Sequence, residues 1–363
     1  MAILWSNARE KLERYARHAA SFSLIGGFIF DYFTLWRIDL WAEDLIFIVY
    51  LCAGALCITY LTMHEAGIVK GKWPNHFHAF CLLTMQFIFG GLFGRFFIFY
   101  SRSGALATSW PFLLFLAALI IGNERFRKHY TIFTYRMSVF FVALFSFAIF
   151  YVPILADEIS VRMFVASGGI SLIIMVFFSW GLFRALRFAG RVRPILLVAS
   201  IGSIFIAINF MYAFNIIPPL PLSLENGGVY HEVRRSNGEY IGSGEIQPWY
   251  ARFQLYPQIH IAPGESVFAF SSVFAPTHIT TTITHEWQYY NTEKSQWATA
   301  STIPFTIVGG RDGGYRGFSY KARTQPGRWR VNIKTERGQL IGRIKFEIVS
   351  VESRPQLETK ALN

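Results

Sequence analysis

The chain has 363 residues, of which 53% are apolar and 18% aromatic while only 15% are charged. That balance excludes an ordinary soluble protein and requires part of the surface to face lipid. The net charge of +12 and the pI of about 9.7 would suit nucleic acid, but much of the charge lies in short loops between apolar runs, where it reads as membrane topology.

The opening stretch, residues 1–19, is basic and amphipathic and has no small-residue cleavage site after a short apolar region, so the first span is expected to remain as a signal-anchor. Seven apolar runs follow, at about 20–36, 45–63, 78–100, 105–122, 137–155, 163–186 and 194–217, each close to the ~20 residues that cross a bilayer. The expectation is a bundle of about seven transmembrane helices over 20–217. Basic residues fill alternate loops: Arg9, Lys11, Arg14 and Arg17, then Lys70 and Lys72, then Arg125, Arg127 and Lys128, then Arg184, Arg187, Arg191 and Arg193. The intervening loops hold Asp39, Glu43, Asp44, Asp157 and Glu158. This alternation predicts a cytoplasmic N-terminus and a C-terminal region on the far side of the membrane. Cys52, Cys57 and Cys81 all fall within apolar runs, so the C-terminal region is expected to fold without disulfides.

At Pro218-Pro219-Leu220-Pro221 the helical pattern stops, and 218–222 reads as a stiff junction. Beyond it the period falls to two. Ile283, His285, Trp287 and Tyr289 alternate with polar residues, as do Phe318, Tyr320 and Ala322, then Trp329, Val331 and Ile333, then Ile344, Phe346 and Ile348. Gly309-Gly310, Asp312-Gly313-Gly314, Gln325-Pro326-Gly327 and Glu336-Arg337-Gly338 supply the turns. An all-β, immunoglobulin-like sandwich over 223–350 is predicted, less regular before 258, with 351–363 read as a tail.

Several of these segments also carry a family resemblance. His285-Glu286-Trp287, the run from Arg311 to Lys321, Pro326-Gly327-Arg328-Trp329-Arg330-Val331 and Gly338-Gln339-Leu340-Ile341-Gly342 resemble the bacterial DUF2914 domain, with a core at about 267–350. Gly26-Gly27-Phe28-Ile29-Phe30-Asp31, Leu35-Trp36-Arg37-Ile38-Asp39 and the Pro-rich junction are similar to the membrane region that precedes the domain in longer members. The family is defined without a function, so the resemblance implies an architecture and no activity.

The two charges best placed inside expected spans are Asp31 and Arg95. Helix directions place both about five residues below the outer surface, and the cost of burying a lone charge in hydrocarbon, upward of ~2.5 kcal/mol, predicts that they pair. His64, Glu65, His76 and His78 cluster near one loop, but an irregular His-x-His fixes no geometry and no metal site is assigned. In the sandwich, His285 is expected on the inward face as a core histidine. The alternative groups it with Arg311, Ser319 and Lys321 as an anion or glycan site, with Tyr315 and Trp297 as an aromatic patch. Trp287 and Trp329 read as core. Arg328, Arg330, Lys334, Arg343 and Lys345 should share one sheet face, suited to anionic headgroups or acidic envelope polymers.

No phosphate-cradling loop, dinucleotide turn, His-Glu-x-x-His or paired-cysteine motif is present, and no catalytic residue or cofactor is assigned. The resulting expectation is a bacterial inner-membrane protein with a periplasmic sandwich that binds or scaffolds an envelope protein, glycan or lipid, without a nucleic-acid partner. A transporter using Asp31 and Arg95, or an enzyme for lipid-linked substrates at the junction, are the alternatives.

Overall fold

The computed structural model of the chain describes residues 41–69, 74–103, 106–125, 132–186, 194–217, 222–236, 238–246, 248, 254–275, 280–308 and 314–362. Six helices come first: α1 (Trp41–Glu65), α2 (Pro74–Ser103), α3 (Leu106–Arg125), α4 (Phe133–Leu155), α5 (Val161–Leu186) and α6 (Pro194–Ala213). Five of them are long and apolar enough to span a bilayer; α3 has a shorter apolar stretch, Ser109–Gly122. The expected first span at 20–36, and Asp31 with it, lies outside the described residues, so the described helices number six where about seven were expected. Eleven strands follow: β1 (Ser223–Tyr230), β2 (Glu232–Ser236), β3 (Glu239–Glu245), β4 (Gln258–Ile261), β5 (Ser266–Phe274), β6 (Thr280–Asn291), β7 (Gln296–Val308), β8 (Tyr315–Ala322), β9 (Gly327–Thr335), β10 (Leu340–Ser350) and β11 (Leu357–Leu362).

Contacts divide the chain into two compact units, one of 1–99, 113–148 and 166–209 and another of 100–112, 149–165 and 210–363. In the first, α4 is the central helix: 72% of its span is buried, against 11% for α6. Helices approach closely where glycine removes the side chain. At Gly168 a Cβ would come 3.0 Å from the Phe205 ring and 3.1 Å from Phe145, the small-residue contact that membrane helices rely on when lipid is as apolar as their own side chains. A hydroxyl pair, Ser138 to Ser200 at 2.7 Å, adds a polar link between α4 and α6.

The buried ion pair of this unit joins residues that sequence reasoning did not connect. Arg136, fully buried at the start of α4, donates from Nη1 to Glu65 Oε1 at 2.7 Å and from Nη2 to Glu65 Oε2 at 2.6 Å. Two parallel bonds between a planar guanidinium and a carboxylate offset a charge that would be costly to bury alone. Arg95 lies over the Phe47 ring at 6.0 Å.

In the second unit the strands form three sheets, ordered β1-β5-β8, β4-β10-β9-β6-β7 and β11-β3-β2. The pairings are antiparallel except for the parallel β4/β10 pair. The first two sheets enclose a core of Val267, Ala269, Ile283, Trp287, Trp329, Val331, Phe346 and neighbours, onto which Ile159 from the α4–α5 turn also packs. Arg337 lies 4.3 Å above the Tyr212 ring at the end of α6, and Tyr212 stacks on Phe164 of α5. The helix ends included in this unit thus meet the sandwich through Arg337 and Ile159. Gly314, just before β8, has φ +79 and leaves no room for a Cβ, which would meet the Val273 backbone at 2.8 Å; only glycine suits both conditions.

Two parts of the strand pattern differ from expectation. In the region read as less regular before 258, the chain divides at His231 into β1 and β2, which belong to different sheets. The presumed tail contains β11, paired with β3 from Leu357↔Glu245 to Leu362↔Tyr240. Its sequence, Leu-Glu-Thr-Lys-Ala-Leu, carries almost no alternation, and the hydrogen bonds of its neighbour make it a strand.

A polar chain crosses the sandwich core. His285 Nε2 lies 2.7 Å from Ser271 Oγ, His285 Nδ1 lies 2.8 Å from Ser319 Oγ, and Trp287 Nε1 donates to Ser319 Oγ at 2.9 Å. Phe305 meets the imidazole edge-on at 4.8 Å. The ring is completely buried, and that burial holds its pKa down at about 4, from 6.5, so it stays neutral with both nitrogens satisfied.

The sign of the pH effect follows from that shift. A histidine whose folded pKa is depressed binds fewer protons than its unfolded counterpart, so its contribution is complete above the unfolded pKa and declines as pH falls. Chemical unfolding of the detergent-solubilised protein, followed by tryptophan fluorescence, should lose about 3 kcal/mol of stability from this group between pH 6.5 and 4, and His285→Gln should remove that component of the pH dependence. In the helical unit, Glu65→Ala should cost about 3–5 kcal/mol by stranding the buried Arg136, read as a lower melting temperature in detergent. The double variant Glu65→Ala, Arg136→Met should recover most of the loss.

Candidate binding face of the sandwich

With Ile283, His285 and Trp287 turned into the core, the period of two sends Glu286 and Gln288 of β6 outward. On β9, inward Trp329, Val331 and Ile333 leave Arg328, Arg330, Asn332 and Lys334 on the outer side. On β10, inward Ile344, Phe346 and Ile348 leave Arg343, Lys345 and Glu347 there. Strand register assembles these residues into rows. Glu286 opposes Asn332, which opposes Arg343; Gln288 opposes Arg330, which opposes Lys345; and on β7, beyond a bulge, Thr299 opposes Gln288 and Trp297 opposes Tyr290.

The rows are joined by hydrogen bonds that use both ends of two amides. Gln288 donates to Thr299 Oγ1 at 3.1 Å, and its carbonyl accepts Arg330 Nε at 2.7 Å and Asn332 Nδ2 at 3.1 Å. Asn332 also donates to Glu286 Oε2 at 2.8 Å and accepts Arg343 Nε at 2.6 Å. Neither amide can flip without losing several of these bonds. Arg330 further stacks over the Trp297 ring at 4.2 Å, while Tyr256 lies beneath Arg328 at 5.2 Å and Lys345 at 5.7 Å. The result is a face of cations held by hydrogen bonds and set among aromatic rings.

Its electrostatics are unbalanced. Arg328, Arg330, Lys334, Arg343 and Lys345 share the face with two carboxylates, Glu286 and Glu347. Burial would push Glu286 up, but its bonds to Lys334, at 2.6 Å, and Asn332 prevail and hold it below the usual carboxylate range. Burial lowers the pKa of Arg330, and the neighbouring Arg343 lowers it further; Arg343 is lowered by burial as well. Both guanidiniums remain charged at neutral pH, since arginine starts above 12.

The residues singled out in the sequence are dispersed. His285 and Ser319 lie in the buried polar chain between the sheets. Tyr315 packs against the same core from β8. Lys321 donates from Nζ to the Ala300 carbonyl at 3.2 Å, beside a shallow cleft between edge strands β7 and β8 lined by Ser301, Ile303, Phe318 and Tyr320. Trp297 is on the outer face of the other sheet, so it and Tyr315 do not form a common patch. Arg311 falls outside the described residues, as does Asp31. Near the end of α1, the His64 and His78 rings lie 4.8 Å apart; among the described residues no group of three or more His, Cys, Asp or Glu is arranged to hold a metal.

A second polar cluster, not read from the sequence, joins β3 and β4. His231 Nε2 is 3.0 Å from Glu245 Oε1, His260 Nδ1 is 2.7 Å from Glu245 Oε2, and Glu265 meets Arg354 Nε at 3.1 Å. Burial would raise Glu245, but hydrogen bonds from His231 and His260 win and leave it below the ordinary carboxylate value. Its members are spread from 231 to 354 and have no motif spacing; Tyr256, in an irregular segment, was equally invisible as part of the basic face.

Comparison with solved structures gives weak likenesses. An immunoglobulin-like protein from Pseudomonas aeruginosa is 14% identical, with 35% of this chain and 96% of that one covered at a TM-score of 0.19. A β-glucosidase from Listeria innocua in complex with glucose is 12% identical, with 34% and 17% covered at 0.19, so the matched part spans about a sixth of that enzyme. The alkylpurine DNA glycosylase AlkC from Pseudomonas fluorescens, bound to DNA containing an abasic site analog, is 9% identical, with 84% and 98% covered at 0.22. With TM-scores this low, no function is inferred from these likenesses. None of the curated proteins compared with the chain matches it. The rows of the basic face lie largely within residues 280–348, which match the family model described as "Protein of unknown function (DUF2914)", and the chain therefore carries a domain of that family behind a set of apolar, membrane-length helices.

Proposed function

We propose that this protein is a multi-pass bacterial inner-membrane protein whose sandwich, on the periplasmic side, is a recognition module for an envelope component, and that the outer face of the β4-β10-β9-β6-β7 sheet is its contact surface. The observation that carries this reading is the pair Arg330 and Arg343, fixed by the neutral amides Gln288 and Asn332 instead of by carboxylates. Such an arrangement uses hydrogen bonds to hold two cations near each other without neutralising them, which costs stability and gains a preorganised surface. The polar atoms of His285 and Ser319 are engaged inside the core, an arrangement that serves packing better than chemistry and supports a binding role over a hydrolytic one. The helices serve as more than an anchor, since one span would suffice for that.

In-cell crosslinking from a photoreactive residue at position 290, on the rim of this face, tests the reading. Specific capture of an envelope protein, glycan or lipid, lost on the double change Arg330→Ala, Arg343→Ala, is the expected result. Capture of abundant bystanders alone, unaltered by that change, would remove this face from consideration.

A further inference from the structure

We infer that the Arg330/Arg343 pair is an oxyanion site for an acidic oligosaccharide, in which the two guanidiniums bind a carboxylate or phosphate on the sugar chain while Trp297 and Tyr256, whose rings carry the neighbouring cations, flank the chain. This rests on the proposed role of the face as a recognition surface and adds the chemical class of the ligand.

Among the described contacts both arginines are held through Nε, so the paired Nη groups, which form the two-pronged bond to carboxylate or phosphate, are left for an incoming anion. Asn332 is their common neighbour, receiving Arg343 directly and sharing the Gln288 carbonyl with Arg330. The two cations lie on adjacent strands at offset register positions, Arg343 opposite Asn332 and Arg330 two pairs along, at the next position on the same face, so strand geometry brings them within reach of one anionic group. Burial disfavours the charged form of both, and Arg343 further disfavours that of Arg330. An anion between them relieves that repulsion.

The surroundings favour a sugar over a lipid surface. A diffuse membrane contact needs mobile lysines and apolar anchors. Here the arginines have fixed directions, the Gln288 and Asn332 amides and the Thr299 hydroxyl are set in one network, and the rings of Trp297 and Tyr256 carry the cations. Directional donors beside aromatic rings can read the oxyanion and the apolar face of a pyranose together. The carboxylate of Glu286 is taken up by Lys334 and Asn332.

The test uses the full chain in nanodiscs of zwitterionic lipid, with an oligouronate tetrasaccharide as probe and calorimetry as readout. Binding is expected to weaken at least about tenfold in Arg330→Gln and in Arg343→Gln, the scale of losing one charge-assisted hydrogen bond, and to change less than about twofold in Lys360→Gln, on β11 of a different sheet. Tyr256→Ala, outside the hydrogen-bond network, should weaken binding without lowering the melting temperature, which guards against misreading an unfolded variant. Oligouronate affinity unaffected by the double Arg→Gln change would overturn the inference, as would binding confined to phosphatidylglycerol vesicles. A neutral cello-oligosaccharide bound equally well, and lost with Trp297→Ala, would overturn the oxyanion assignment while leaving the face as a recognition surface. No binding to either sugar, together with no specific crosslink at position 290, would overturn both.

Discussion

The outer face depends on the inward commitment of β6. Once Trp287 and His285 are buried and bonded through Ser319 and Ser271 to the opposing sheet, a slip of one residue would expose a tryptophan and strand the two buried serine hydroxyls. Period-two geometry then leaves Glu286 and Gln288 no choice but the outside. The same register lines up Asn332 and Arg343 with Glu286, and Arg330 and Lys345 with Gln288. A buried polar chain with every member satisfied specifies one pairing more sharply than apolar contacts could, because alternatives leave hydrogen bonds unmade.

On the outer side the balance is reversed. Burial and mutual repulsion work against Arg330 and Arg343, and amide hydrogen bonds and the stacking of Arg330 on Trp297 offset only part of that. Structural arginines are commonly matched to carboxylates, as Arg136 is to Glu65 in the helical unit. The two kinds of arginine thus show different physical purposes within one chain: a neutralised cation buried among helices, where an unpaired charge is prohibitive, and fixed cations only partly offset by Glu286, where water can still reach them.

The Glu65–Arg136 pair also shows how depth alone misleads. Both residues fall at the edges of apolar runs, where a charged side chain is expected to reach water. The end of α1 and the start of α4 come together in the bundle, and full burial of Arg136 makes the carboxylate necessary. Helix packing, not the hydropathy of either segment, created that requirement.

By itself, the sequence determined the division into apolar helices and a strand-rich region, because lipid demands long runs without charge and half-buried sheets demand alternation. It determined that Trp287 and Trp329 are core and that Arg328, Arg330, Lys334, Arg343 and Lys345 share a face, since those follow from parity along β6, β9 and β10. Tertiary structure decided what parity cannot: that Gln288 and Asn332 hold Arg330 and Arg343, that Trp297 belongs with Arg330 and not with Tyr315, that Tyr256 completes the face, and that β11 is a strand at all. Each of these depends on which segments become neighbours across many residues of sequence, and local periodicity carries no information about that choice.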